Sequence, residues 1–316
     1  MGLIMTKVFI DGSSGTTGLR IRERLCMRND IELITLDEAV RKDAKARQEA
    51  FRNADIAFLC LPDAAAAEIA EIIPKDTVVI DTSTAHRVQQ GWTYGLPELP
   101  GQRERIGHAK RIANPGCHAT GFIVLTAPLI AAGILKKDAR LSCTSLTGYS
   151  GGGKKMIAQY EAEDRSKGAA GTDLLSAPRL YGISQHHKHL PEMVRETGLL
   201  HEPAFLPVVA DFYSGMESLI PVFAEDLRGS VEEIREVYRS VYQGPVIRYR
   251  ETADESGFYS AAAFEGRDDM EVTVSGNEER VLLVARFDNL GKGASGAAIQ
   301  NMNLVFGFDE TSGLRL

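Results

Sequence analysis

Lys7 to Gly18 reads KVFIDGSSGTTG, and this stretch decides the fold. Lys7 to Asp11 is a short apolar run suited to a strand. The turn after it, Gly12-x-x-Gly15-x-x-Gly18, opens a helix expected from Thr16 to Met27. Glycines at such a junction let the backbone turn tightly and approach a pyrophosphate, whose charge then rests on the amides of the helix N-terminus. Gly12, Ser14, Gly15, Thr16, Thr17 and Gly18 are therefore the candidates for holding a dinucleotide cofactor. A glycine turn alone is a weak signal, and its place at the head of a series gives it weight. Ile31 to Leu36 reads as a second strand, about Asp43 to Arg52 as a helix and Asp55 to Leu61 as a third strand; an Ala-rich helix follows Pro62, and Thr77 to Asp81 reads as a fourth strand. Apolar strands without polar alternation, separated by helices, are the pattern of a parallel sheet covered on both faces. The fold class is α/β, with a Rossmann-type doubly wound parallel-sheet domain.

After Cys117 the pattern changes. One apolar helix runs to about Ala132. Strand candidates follow near Arg140 to Thr147, Val208 to Tyr213, Leu219 to Phe223, Val246 to Arg250, Glu271 to Ser275 and Val281 to Phe287. Only two further helices are evident, around Lys154 to Glu163 and Ser230 to Tyr242. Such strands with few helices between them predict a mixed, largely antiparallel sheet in an α+β domain. The expected organisation is a dinucleotide-binding domain at residues 1–116, completed by a C-terminal helix within 294–316, and a catalytic, substrate and dimerisation domain at residues 117–293.

The 316 residues carry a net charge of −7, which argues against nucleic acid as a partner, because binding a phosphate backbone calls for a basic surplus or face. Hydrophobic residues at 44% and charged residues at 25% exclude disordered and fibrous classes. The charge-free stretch from Ile112 to Leu135 starts with a polar turn, and its apolar part from Gly121 is shorter than the ~20 residues a membrane span needs. It reads as a buried helix, with no membrane partner. The N-terminus runs directly into a strand without a secretory pattern, so a cytoplasmic location is expected. Cys26, Cys60, Cys117 and Cys143 show neither disulfide-framework nor zinc spacing.

Cys117 lies just after Asn114-Pro115-Gly116, at the first turn of the apolar helix. A helix N-terminus favours the thiolate, and its amides can stabilise an oxyanion on a carbonyl that the sulfur has attacked. The other three cysteines sit in apolar strand or helix settings and read as inert. The segment Ser184-Gln185-His186-His187-Lys188-His189-Leu190-Pro191-Glu192 holds three of the seven histidines. No second cluster with ligand spacing accompanies them, so no metal is expected. An acid/base histidine held by a carboxylate is the favoured reading, with Glu192 three residues beyond His189. His187 competes with His189, because both point to one side if the segment is extended. The end of the second strand gives two signals: Asp37 and Glu38 would hold the ribose hydroxyls of NAD, whereas Arg41 and Lys42 would accommodate the 2′-phosphate of NADP. On residues alone the choice is even.

A dinucleotide turn, a cysteine opening a helix and a later histidine together describe a dehydrogenase working through a thioester. The motifs GSSGTTG, NPGC, TGYSGGGKK, HKHLPE and DNLGKGASGAAIQNMN also resemble those of the N-acetyl-gamma-glutamyl-phosphate reductases, in particular their shorter type 2 branch, from residue 7 to about 307. The resemblance implies NADPH-dependent reduction of N-acetyl-L-glutamyl 5-phosphate to the 5-semialdehyde, with release of phosphate, in arginine biosynthesis. It implies Cys117 as nucleophile, His189 as base and Glu192 behind it. Asn289, Gly291 and Lys292 match the segment that closes over the nicotinamide. Asn114, Arg87, His187 and Lys188 are the candidates for holding the small-molecule acyl phosphate, and a homo-oligomer, dimer or tetramer, is expected. The same chemistry on aspartyl phosphate or a carrier-linked aminoadipyl phosphate is the nearest alternative, and a non-catalytic NADPH-sensing protein the more distant one.

Overall fold

The computed structural model describes residues 5–163, 165 and 171–316; residues 1–4 of the N-terminal stretch read above lie outside the described residues. The chain forms two compact units, residues 1–116 with 294–314 and residues 117–293 with 315–316.

The first unit runs β1 (Thr6–Asp11), α1 (Thr16–Leu25), β2 (Ile31–Ile34), α2 (Ala44–Asn53), β3 (Ile56–Leu59), α3 (Asp63–Ala70), β4 (Val78–Asp81), β5 (Thr93–Tyr94), α4 (Gln102–Gly107) and β6 (Arg111–Ala113). The strands lie in the order β2-β1-β3-β4-β6-β5, and every pairing is parallel. Both central strands β3 and β4 are buried at every position, as their unbroken apolar runs require. Asp43 starts α2 by accepting the Ala46 amide at 2.8 Å, which satisfies one of the helix's orphan donors.

The second unit runs α5 (Cys117–Ala131), β7 (Ser142–Gly148), α6 (Gly153–Tyr160), β8 (Arg179–Leu180), α7 (Leu190–Thr197), β9 (Ala204–Ala210), β10 (Met216–Phe223), α8 (Val231–Val241), β11 (Ile247–Tyr249), β12 (Met270–Gly276) and β13 (Arg280–Phe287). Its sheet has the order β11-β12-β13-β10-β7-β9-β8. Four pairings are antiparallel and two, β11 with β12 and β7 with β9, are parallel. The mixed, largely antiparallel α+β domain expected from the sequence is thus present. The two-helix expectation is corrected: α7 is a third helix, started by Pro191 in its first turn directly after the histidine-rich segment and stopped by Gly198 at φ +73°.

Helix α5 is buried on all sides from His118 to Ile130 and packs on β10, β13, α7 and α8. Pro128 inside it has no N–H, so the Val124 carbonyl loses its helical donor. The Tyr242 hydroxyl donates to that carbonyl at 2.5 Å, and the neighbouring Tyr238 hydroxyl donates to Leu125 O. The chain then returns to the first unit. A π-helical turn, Gly291–Ser295, leads into α9 (Gly296–Phe306), whose Ala298, Ile299 and Met302 join the core over β1, β3 and β4. Gly307, at φ +66°, ends α9 well short of the C-terminus.

Candidate active site

In the first unit, the glycine turn is shaped from behind. Gly12 has φ +89°, and a Cβ there would lie 2.2 Å from the Cys60 carbonyl oxygen; a Cβ on Gly18 would lie 2.4 Å from Gly12 O. No other residue fits either position. The Gly15 amide donates to Gly12 O at 2.9 Å, and Gly15 then caps α1. Beside the turn lies a cavity of about 380 Å³ lined by Gly12, Ser13 and Ser14 and by four cations, Arg22, Arg41, Lys42 and Arg47. Its carboxylate, Asp11, is taken up by Arg47, whose Nε donates at 3.1 Å and whose second nitrogen donates to the same oxygen. Burial raises the Asp11 carboxyl pKa, and Arg47 works against that rise. Asp37 and Glu38 stand outside this lining, and Glu38 is an exposed partner of Arg41 at 3.0 Å.

This donor set fits a dinucleotide carrying an extra phosphate. The turn offers backbone amides at a helix start, and the cavity is rich in cations where the adenosine end of such a cofactor binds. Arg22 and Arg47 escaped the sequence reading because nothing local marks them. Only their helical positions bring them to the cavity, Arg22 one turn beyond Gly18 on α1. Arg87 and Asn114 also belong to the first unit, and both are buried. Arg87 donates to Asn114 O at 2.9 Å and to Thr82 O at 3.1 Å, while the Asn114 amide donates to Ala294 O at 2.9 Å.

In the second unit, Cys117 is the first residue of α5 and is half-buried. The helix lies so close to β10 that a Cβ on Gly121 would meet Ser218 Oγ at 2.2 Å. Gly293 brings its backbone against the cysteine, since a Cβ there would lie 2.9 Å from Cys117 Cβ. By contrast Cys60 and Cys143 have thiols pushed up to about 12, chiefly by burial, which suits inert residues. Cys26 is exposed at the C-cap of α1 and donates to Glu23 O at 3.2 Å.

His189 stands at the N-cap of α7, Glu192 lies in its first turn, and both are buried. Since α7 packs on α5, the histidine segment is carried to the helix that begins at Cys117. The rings of His187 and His189 meet edge to face at 4.7 Å, and the His189 amide donates to His187 Nδ1 at 3.2 Å. Around them gather His118, Tyr181 and Phe205: His118 lies 5.7 Å from each of the two histidines and 5.3 Å from Phe205, centroid to centroid. His118 Nε2 is 2.6 Å from the Tyr181 hydroxyl. Lys188 is exposed, unlike the two histidines flanking it. Neither His118 nor Tyr181 stands out in the sequence, the first set in an apolar helix and the second in an irregular stretch.

The segment expected at the nicotinamide is held by Asp288, which is fully buried. Asp288 accepts from Ser214 Oγ at 2.8 Å, Leu290 N at 2.7 Å, Gly291 N at 3.2 Å and Gly266 N at 2.5 Å. Asn289 uses both ends of its amide internally, accepting from Gly215 N at 2.9 Å and donating to Ser150 Oγ at 3.1 Å. A Cβ on Gly291 would lie 1.9 Å from Arg267 O, and Lys292 is wholly buried.

Comparison with known proteins supplies the family context. Residues 35–109 match the family described as semialdehyde dehydrogenase, NAD binding domain, and residues 117–289 match semialdehyde dehydrogenase, dimerisation domain. The chain is 42% identical to an N-acetyl-gamma-glutamyl-phosphate reductase 2 of Nostoc sp. over 98% of its own length and 99% of the relative's. It is 46% identical to the N-acetyl-gamma-glutamyl-phosphate reductase of Brucella ovis over 95% and 99% of the two chains. Among solved structures, aspartate semialdehyde dehydrogenase II of Vibrio cholerae aligns over 96% of this chain and 98% of that one, with a TM-score of 0.73 at 20% identity. At that identity the likeness is one of fold alone.

Proposed function

The chain belongs to the N-acetyl-gamma-glutamyl-phosphate reductase family, and from that premise we propose how its own residues perform the reaction. The reaction is the NADPH-dependent reduction of N-acetyl-L-glutamyl 5-phosphate to N-acetyl-L-glutamate 5-semialdehyde and phosphate, in arginine biosynthesis, through a thioacyl group on a cysteine.

We assign the nucleophile to Cys117. His189 takes the thiol proton, the sulfur bonds to the acyl carbon, and the carbon–oxygen bond to phosphate breaks, leaving a thioester. When bound, the nicotinamide cofactor supplies the hydride that reduces this thioester. The amides at the start of α5 and the protonated His189 then hold the thiohemiacetal oxyanion, and cleavage of the carbon–sulfur bond releases the semialdehyde. Glu192 keeps the imidazole oriented and stabilises its charge. His187 and Lys188 serve the anionic substrate, while Arg87 and Asn114, also expected to hold it, give donors to main-chain carbonyls within the first unit. Gly12 to Gly18 cradle the cofactor pyrophosphate, and Arg22, Arg41, Lys42 and Arg47 suit its 2′-phosphate. Gly291 and Lys292 serve the nicotinamide end, while Asn289, whose amide is committed to Gly215 and Ser150, shapes that segment.

The observation that carries this reading is the meeting of three elements in the second unit: the start of α5 at Cys117, the start of α7 at His189, and the Gly293 backbone against the cysteine. The test is Cys117→Ser in a steady-state assay with the acyl phosphate and NADPH. Turnover should vanish while cofactor binding persists, and near-normal turnover would remove Cys117 from the role. Aspartyl phosphate and aminoadipyl phosphate in the same assay check the substrate.

The cytoplasm keeps thiols reduced, so four free cysteines, one of them a nucleophile, support a cytoplasmic location for the enzyme. We further infer a homo-oligomer that uses the face of the second sheet away from α5. Ser218 and Ser145 point to α5, so their neighbours Leu219 and Leu146 point the other way, together with Leu206, Val208 and Leu282, and these five are only half-buried. The family described as a dimerisation domain covers these strands.

A further inference from the structure

Directly after Cys117, on the same turn of α5, stands His118, which the reaction as assigned above does not use. It is 2% exposed, and both of its ring nitrogens are engaged: Nδ1 lies 2.7 Å from Ser145 Oγ and Nε2 lies 2.6 Å from the Tyr181 hydroxyl. Ser145 Oγ continues the chain to Ser218 Oγ at 3.2 Å. The histidine is thus clamped between strands β7 and β10 on one side and Tyr181 on the other, among His187, His189 and Phe205. Tyr181 in turn sits 6.0 Å from His187, ring to ring.

We propose that His118 is a positioning residue which, through Nε2, fixes the Tyr181 hydroxyl as a hydrogen-bond donor to the negative charge that forms at Cys117 during turnover. The proposal rests on the assignment of Cys117 as nucleophile.

The hydrogen-bond chain allows two arrangements, because a neutral imidazole carries one N–H. In the first, Ser145 donates to Nδ1, Nε2–H donates to the phenol oxygen, and the phenol proton is left for a third partner. In the second, Tyr181 donates to Nε2, Nδ1–H donates to Ser145, and Ser145 donates to Ser218. An anion beside Tyr181 selects the first arrangement, because it draws the phenol proton toward itself. His118 stays neutral throughout: burial, with the charge of His187 adding to it, pushes its pKa down to about 3. The ring therefore holds a single N–H in either arrangement, and with charge at Cys117 the favoured place for it is Nε2. Tyr181 is tied to this place by its 2.6 Å contact with His118, the residue that follows Cys117. Burial first, and then the charge of the Cys117 sulfur, raise its pKa, so the phenol keeps its proton at every working pH and the sulfur's field is felt at its oxygen.

A hydrogen bond to a charged group contributes more than one to a neutral group, because the acceptor's charge grows as the reaction proceeds. In the full-length enzyme, Tyr181→Phe should lower kcat by about 10–100-fold, with KM for the acyl phosphate changed by no more than about twofold. Alkylation of Cys117 by iodoacetamide, followed on its own peptide by mass spectrometry, should have its pH midpoint moved up by about one pH unit. His118→Leu should reproduce both effects. His118→Gln, whose amide can donate near the place of Nε2, should recover most of the loss, which a purely structural role would not produce. Unchanged kcat and an unchanged alkylation midpoint in Tyr181→Phe would overturn the proposal. Tyr181→Phe keeps the ring's volume and decides the matter alone should His118→Leu not fold. Retained turnover in Cys117→Ser would instead remove the nucleophile assignment, so the two failures are distinct.

Discussion

The His189 amide donates to His187 Nδ1, so that nitrogen is an acceptor and any proton on a neutral His187 sits on Nε2. That fixed tautomer, together with the half-exposed setting of His187, suits it to donating toward an anionic substrate. His189 is buried at the start of α7 with Glu192 one turn along, which suits a base whose charge must be compensated. His189→Asn should therefore cost about 10²–10⁴-fold in kcat, the usual loss of a general base, and Glu192→Gln less. Iodoacetamide should also alkylate Cys117 more slowly at neutral pH in His189→Asn. If His187→Asn reproduced both losses and His189→Asn neither, the base would have to be reassigned. Cys117 and the HKHLPE segment were legible in the sequence because each couples a reactive side chain to a turn-forming neighbour, Pro-Gly in one and Pro191 in the other. Tyr181 was not legible, since only the tertiary contact with His118 gives it meaning.

On the face away from α5 the second sheet carries an ionic cluster around the buried Arg286 and Glu217, joined by Glu271 and by the exposed Glu255. Arg286 on β13 donates to Glu271 Oε1 at 2.8 Å and to Glu255 Oε1 at 2.5 Å, and across the ladder from it lies Glu217 on β10. Burial pushes the Glu217 carboxyl up to about 7; Arg286 lowers it, and Glu255 raises it further. Because Arg286 already shares its charge with two carboxylates, it cannot fully compensate a third. The folded chain thus holds a proton that the unfolded chain has released, from an ordinary value of 4.5 up to about 7. Stability contributed at Glu217 is present below that window and lost as pH rises through it. Glu217→Gln should raise Tm relative to the parent at pH 8 and change it little at pH 4; a thermal melt series across pH checks this, and an equal gain at both ends would refute it. At this scale the sequence marked the long strands and both long helices of the second unit, because their apolar periodicity is local. It missed α7, which follows the histidine-rich segment directly and carries Pro191 in its first turn, and β8, two residues that become a strand only by pairing with β9.

At the scale of the whole molecule, the first unit decides the cofactor and the second decides the assembly. The conflicting signals at the end of β2 are resolved by which side chains line the cavity, and spacing alone cannot reveal that. Arg41 and Lys42 face it and Asp37 and Glu38 do not, so NADPH should exceed NADH in kcat/KM by about 10²-fold, the effect of two charge-assisted contacts. Arg41→Ala with Lys42→Ala should narrow the gap by about tenfold or more. Equal rates with the two cofactors in the parent enzyme would assign the ribose to the acidic pair. For the assembly, sedimentation should find a species larger than one chain, and Leu219→Glu on the outer sheet face should dissociate it; a parent that sediments as a single chain would sink the inference. The contact between Gly12 and the Cys60 carbonyl has a thermodynamic consequence. Two parallel strands, β1 and β3, end against each other so tightly that the turn after β1 is moulded by protein. The entropy of ordering that turn is met during folding, and the arriving nucleotide finds a finished surface. Its capture is then a docking event, with association in a single kinetic phase.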